Sequence, residues 1–102
     1  MSNTSASPAN HKVAAADVYG IARHHRFQWE EAQQCYVLLF PEGMIKLNGS
    51  AGEVLKRVDG NKTVDQIVQE LETAFPGVPD LRSDVMSMLD LALDKAWIEK
   101  RN

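Results

Sequence analysis

The sequence predicts an α+β domain of winged-helix-like order, a three-stranded antiparallel meander followed by three helices. Three observations carry that reading. Between Arg26 and Leu47 the apolar residues fall in short period-two or continuous runs broken by turn residues. From Asn48 onward the apolar spacing changes to that of a helix, about 3.6 residues. The change happens once, so strands and helices are segregated along the chain, a pattern that packs helices against one antiparallel sheet.

The first strand covers Arg26 to Glu30, where Phe27 and Trp29 alternate with Gln28 and Glu30. Polar Glu31, Gln33 and Gln34 make the connection. The run Tyr36-Val37-Leu38-Leu39-Phe40 is continuous, apolar and rich in β-favouring types, as expected of a central strand. Pro41-Glu42-Gly43 suits a tight reversal, because proline presets one φ and glycine accepts a positive one. Ile45 and Leu47 then alternate with Met44 and Lys46 in a third strand.

Helix one starts behind Asn48 or Ser50 as N-cap, carries Ala51, Val54, Leu55 and Val58 at helical spacing, and ends at Asp59-Gly60. Thr63 with Gln66 forms a capping-box pattern, and Val64, Ile67, Val68, Leu71 and Phe75 make the apolar stripe of helix two, which runs into Pro76-Gly77. Pro79-Asp80 opens helix three. Its stripe is Leu81, Val85, Met88, Leu89, Ala92 and Ala96, and Met86, Leu93 and Trp97 add apolar area on an adjoining side.

From Met1 to about Gly20 the residues are small and polar, with too little apolar surface to offset the entropy of ordering. Residues 1–24 are therefore expected to be a flexible tail, residues 25–98 one domain, and residues 99–102 a C-terminal tail. The 102-residue length has room for one core. No apolar run approaches the ~20 residues of a membrane span, and the N-terminus lacks a basic start and apolar stretch, so a cytoplasmic protein without membrane partners is expected.

Candidates for chemistry are few. Cys35 is alone, which excludes an internal disulfide and leaves too few thiols for a zinc cage. His24 and His25 are adjacent and point to opposite sides of an extended chain, and His11 lies in the tail, so no metal set is expected. Asp80 with Asp84, and Asp90 with Asp94, sit four apart as acidic pairs, a spacing that reads more simply as a solvated edge. The glycines are scattered at turns rather than clustered around a phosphate. The expectation is no catalytic residue, no metal and no cofactor. The net charge of −3 and the acidic character of helix three, which sets Asp80, Asp84, Asp90 and Asp94 against Arg82 and Lys95, argue against a winged-helix DNA-binding regulator.

Binding remains. A three-stranded meander has two edges with unpaired backbone groups, open to an extended peptide or to self-association with another copy. The expected docking edge is Met44–Leu47, facing a groove whose other wall is Met86, Leu89 and Leu93 of helix three. Met86 and Leu93 have a second reading, as residues that complete the core.

The run Leu38-Leu39-Phe40-Pro41-Glu42-Gly43-Met44-Ile45-Lys46-Leu47-Asn48, followed by Ala51, Asp59-Gly60 and Thr63-Val64-Asp65-Gln66-Ile67, resembles the PqqD family. Leu71, Asp84-Val85, Leu89, Leu93 and Trp97-Ile98 extend the resemblance, which spans about Arg26 to Ile98. One departure is Ala96, where the family pattern has glycine before the tryptophan. The resemblance implies a recognition element for a ribosomally made, modified peptide. It would take the leader of the precursor peptide PqqA as a fourth strand and present it to the radical SAM enzyme PqqE during pyrroloquinoline quinone (PQQ) biosynthesis. PqqE would supply all iron–sulfur chemistry, cross-linking a glutamate and a tyrosine of that peptide. Another peptide-modification pathway that borrows the same fold is the alternative. On this resemblance Met44, Ile45, Lys46 and Leu47 form the edge, and Asp84, Val85, Met86, Leu89 and Leu93 the opposing wall. Lys46 stands where it could pair with an acidic leader residue.

Overall fold

A computed structural model describes residues 11–102. In chain order the elements are β1 (Tyr19–Ile21), β2 (Arg26–Glu30), β3 (Cys35–Phe40), β4 (Gly43–Lys46), α1 (Gly49–Lys56), α2 (Val64–Ala74), α3 (Leu81–Asp94) and β5 (Ile98–Lys100). β2, β3 and β4 form an antiparallel meander with β3 in the centre, followed by three helices, as the sequence pattern predicts. The first hairpin pairs Arg26 with Leu39 through Glu30 with Cys35, and the second pairs Phe40 with Gly43 across the two-residue turn Pro41-Glu42.

One face of this sheet carries the core. Leu38 is fully buried, Leu47 lies just beyond β4 in the same cluster, and Phe27, Tyr36 and Ile45 pack against it. Phe27 stacks on Tyr36 with ring centroids 4.7 Å apart, and Trp29 meets the same ring edge-on at 5.0 Å. α1 lies over Tyr36 at Gly52, where an added Cβ would come within 2.9 Å of the ring, so glycine sets how closely helix and sheet approach. Leu55, Ile67 and Leu89 bring the three helices to this centre, each at or below 1% exposure. Burying each such side chain is worth roughly 1.5–3 kcal/mol.

The helix ends follow local chemistry. Asn48 caps α1, its side chain accepting from the Ala51 N–H at 2.8 Å. α1 stops at Lys56, earlier than the expected Asp59-Gly60, because the Asp59 carboxylate accepts the Asn61 and Lys62 N–H groups and folds that segment into a loop. Thr63 and Gln66 form both halves of a capping box on α2. α3 ends with the Ala96 N–H bonded to Leu93 O and the Trp97 N–H bonded to Ala92 O, an arrangement that requires the left-handed φ of 61° found at Ala96.

The two tails are corrected. Residues 1–10 lie outside the described residues, but from His11 the chain is a strap bound to the helices. Asp90 on α3 accepts the backbone N–H groups of Lys12 and Val13 at 2.8 and 3.0 Å and contacts His11 Nδ1 at 2.7 Å. The carbonyls of Asp17 and Ala15 accept the Val64 and Asp65 N–H groups at the start of α2. β1 then pairs with β5, Tyr19 opposite Lys100 and Ile21 opposite Ile98, so residues 99–102 are not a tail either. The reason is that backbone hydrogen bonds hold the strap with only two well-buried apolar anchors, Val13 and Tyr19. Composition registers apolar area and is blind to such partners.

Candidate functional site

β4 has a neighbour on one side only. Which of its backbone groups are open follows from one bond and the alternation of an antiparallel ladder. The Leu47 N–H donates to Tyr36 O at 3.0 Å, so Leu47, Ile45 and Gly43 turn their N–H and C=O groups toward β3. Met44 and Lys46 turn theirs outward. The open edge therefore offers two donors and two acceptors, from Met44 and Lys46. Their side chains are exposed on the face away from the core, whereas Ile45 is half-buried and Leu47 is 6% exposed on the core side.

Just past this edge, where the chain turns into α1, a groove of about 860 Å³ opens between Asn48–Ala51, the end of α2 and one face of α3. Its α3 wall is the stripe Leu81, Asp84, Val85, Met88 and Leu91, and Phe75 and Val78 close its far side. Three of these apolar residues are well exposed: Phe75 at 41%, Val78 at 46% and Leu91 at 44%. The cluster is larger than scattered surface apolar residues require, and a cleft of this volume lined mainly by such side chains suits a peptide side chain.

The structure divides the nine residues singled out from the sequence. Met44 and Lys46 present the edge, Ile45 and Leu47 spend their backbone groups on β3, and Asp84 and Val85 line the groove. Leu89 is fully buried in the core, and Met86 and Leu93 lie on another side of α3, packed against the core outside the groove. The groove is lined by Leu81, Met88 and Leu91, joined by Phe75 and Val78, and not by Met86, Leu89 and Leu93. The spacing Leu81, Asp84, Met88, Leu91 is itself a helical stripe and was the available signal. The flank of Met86 and Leu93 also carries Asp90, which the strap occupies, and the strap is invisible to periodicity.

Perturbed ionisable groups lie away from this site. Backbone N–H donors hold three carboxyls below their ordinary values: Ala14 for Asp17, Asn61 and Lys62 for Asp59, and Arg23 for Glu99. Burial, then the bond to Asp17, pushes the Tyr19 phenol up to about 12. Among the described residues no group of three His, Cys, Asp or Glu side chains is placed to hold a metal ion, and no helix is long and apolar enough to cross a membrane.

Residues 35–98 match the family model described as coenzyme PQQ synthesis protein D (PqqD). The PqqA binding protein of Stutzerimonas stutzeri is 46% identical over 90 residues, covering 88% of this chain and 98% of that protein. The PqqA binding protein of Pseudomonas aeruginosa is 52% identical over 79 residues, covering 78% and 86%. The solution NMR structure of the PqqD truncation of Methylobacterium extorquens PqqCD superposes with a TM-score of 0.70 at 33% identity, covering 90% of this chain and 97% of that one. That truncation is described as a functional, stand-alone recognition element for ribosomally synthesized and post-translationally modified peptides.

Proposed function

The chain belongs to the PqqD family, and from that premise we propose that it binds the PqqA precursor peptide by strand addition to β4 and presents it to the radical SAM enzyme PqqE in PQQ biosynthesis. The observation that carries this reading is the open edge at Met44 and Lys46, with an apolar groove on α3 whose lining begins at Asn48, shortly after the edge in the chain. An added strand gains affinity from four main-chain hydrogen bonds along the edge and selectivity from alternate side chains. Residues of the peptide opposite Ile45 face the core side, and those opposite Met44 and Lys46 face outward beside the two exposed side chains. A large apolar residue at the end of the added segment fits the pocket of Leu81, Met88, Leu91 and Phe75, with Asp84 and Val85 on the same wall. The chain contributes recognition, and bond-making belongs to the enzyme partner.

The recognition unit on this reading is residues 11–102, because the strap and β5 support the inner side of α3 and leave its groove side open. The relatives named PqqA binding protein and the recognition-element description of the Methylobacterium extorquens structure support the peptide assignment. The test is a titration of isotope-labelled protein with synthetic PqqA peptide, then with PqqE. Saturable amide shifts are expected at Met44–Leu47 and Leu81–Leu91, with a further set of shifts only when PqqE is added. Absence of any shift at high peptide excess would remove the function.

A further inference from the structure

The charges that line the α3 groove have one sign. Glu53 and Asp84 are its ionisable residues, and among the described residues no lysine, arginine or histidine lines it. The two carboxylates differ in what they meet. Glu53 receives the Arg57 guanidinium at 2.9 Å, so its charge is balanced within the chain. Asp84 is exposed and has no ion-pair partner among the described residues. Arg82, the nearest cation in sequence, is committed to Asp65 on α2 at 2.6 Å. Asp84 also stands inside the apolar stripe rather than beside it, one helical turn from Leu81 in one direction and from Met88 in the other. An occupant that is apolar throughout would cover this carboxylate and leave it without a partner, which costs binding free energy.

We propose that Asp84 determines specificity in this groove: the peptide segment that docks there carries a lysine or arginine beside its apolar residue, and an acidic residue at that place is rejected. The inference rests on the peptide-binding reading above and adds to it the charge of the bound residue. A long basic side chain matches both parts of the wall. Its methylene stem lies along Leu81 and Met88 while its charged head reaches Asp84. Phe75, 41% exposed, brings an aromatic ring to the same groove, a second kind of group that attracts a cation and not an anion.

Position in the first turn of α3 also suits a carboxylate, because the helix dipole favours negative charge there. That accounts for an acidic residue at the start of the helix and not for its place in the stripe. Ser83, in the same turn and exposed outside the groove lining, would serve the dipole equally well. Selectivity is the difference the stripe position makes. The apolar lining accepts many large side chains with similar affinity, whereas an unbalanced carboxylate among them turns the wrong charge into repulsion.

The test is a charge swap read by isothermal titration of the full chain with synthetic PqqA peptide and with a set in which each lysine and arginine of that peptide is replaced singly by glutamate. Asp84→Lys is expected to weaken the unmodified peptide by about tenfold or more. Glu72→Lys makes the same change of net charge at an exposed position of α2 outside the groove and is expected to stay within about twofold. One glutamate-substituted peptide should reverse the order, binding Asp84→Lys more tightly than it binds the unmodified chain. Thermal unfolding of each variant checks the fold, and the reversal is read within one folded protein, so a loss of stability cannot imitate it. Failure of the unmodified chain to bind unmodified peptide refutes the peptide reading and this assignment with it. Affinity unchanged by Asp84→Lys, or a loss that no glutamate-substituted peptide reverses, overturns the charge assignment alone and leaves strand addition to β4 standing.

Discussion

Proline at position 44 removes one outward N–H of β4 and leaves the rest of the domain in place. The Met44 side chain is 44% exposed and its backbone faces away from β3, so the substitution breaks no ladder bond and little packing. An added peptide would lose one backbone hydrogen bond, worth about 0.5–1.5 kcal/mol net, and would leave one of its carbonyls without a partner at a further ~1 kcal/mol or more. The sum is about 2 kcal/mol, or a loss of affinity on the order of 30-fold. Proline at position 45 acts differently. The Ile45 N–H faces Leu38 within the sheet and its side chain packs on the core, so Ile45→Pro removes a ladder bond and distorts the strand, costing roughly 3 kcal/mol of fold stability. The assay is isothermal titration with synthetic PqqA peptide alongside urea unfolding for both variants. A Met44→Pro protein that is folded and binds with unchanged affinity refutes the edge phase, as does an Ile45→Pro protein of undiminished stability.

Three further outcomes are expected. Asp90→Ala removes the acceptor of the Lys12 and Val13 N–H groups and the contact to His11, and should cost about 1–3 kcal/mol in urea unfolding, with fast amide exchange appearing at Lys12 and Val13; a loss below ~0.5 kcal/mol would show that the strap is not held there. Ala96→Gly relieves a φ of 61° at the end of α3 and should raise stability by about 0.5–1 kcal/mol after the added freedom of the unfolded chain is counted, whereas a decrease would contradict the left-handed end. Tyr19 is neutral and hydrogen-bonded to Asp17, and burial is the main reason its pKa rises from 10.0 to about 12. Its contribution to stability is whole below pH 10 and is lost as pH climbs through 12, so Tyr19→Phe should flatten the alkaline limb of a stability–pH curve over that window; an identical limb in the variant would argue against the shift.

Much of the architecture was legible in the sequence because it is written in short-range patterns. The capping box of Thr63 and Gln66, the turn at Pro41-Glu42, and the switch of period at Asn48 each act within a few residues, and each appears in the structure as read. The open edge of Met44–Leu47 was legible for the same reason, since three consecutive strands leave the third with one neighbour. Ala96 was legible as a departure from the family pattern, and its positive φ is the physical content of that departure.

Direction and distance were settled by long-range packing. Periodicity places Val85, Leu89 and Ala92 of α3 inward, as found, but does not say which flanking side, Met86 with Leu93 or Met88 with Leu91, is left open. Residues 11–21 reach Asp90 and β5 across more than 70 residues of sequence, and Asp90 shares one flank of α3 with Met86 and Leu93. The strap escaped the sequence because its bonds run from backbone N–H groups to a distant carboxylate, from α2 N–H groups to its own carbonyls, and between two three-residue strands, none of which needs an apolar pattern. The phase of the edge strands was likewise out of reach, since alternation of side chains does not reveal which backbone groups a neighbour has taken until the register is known.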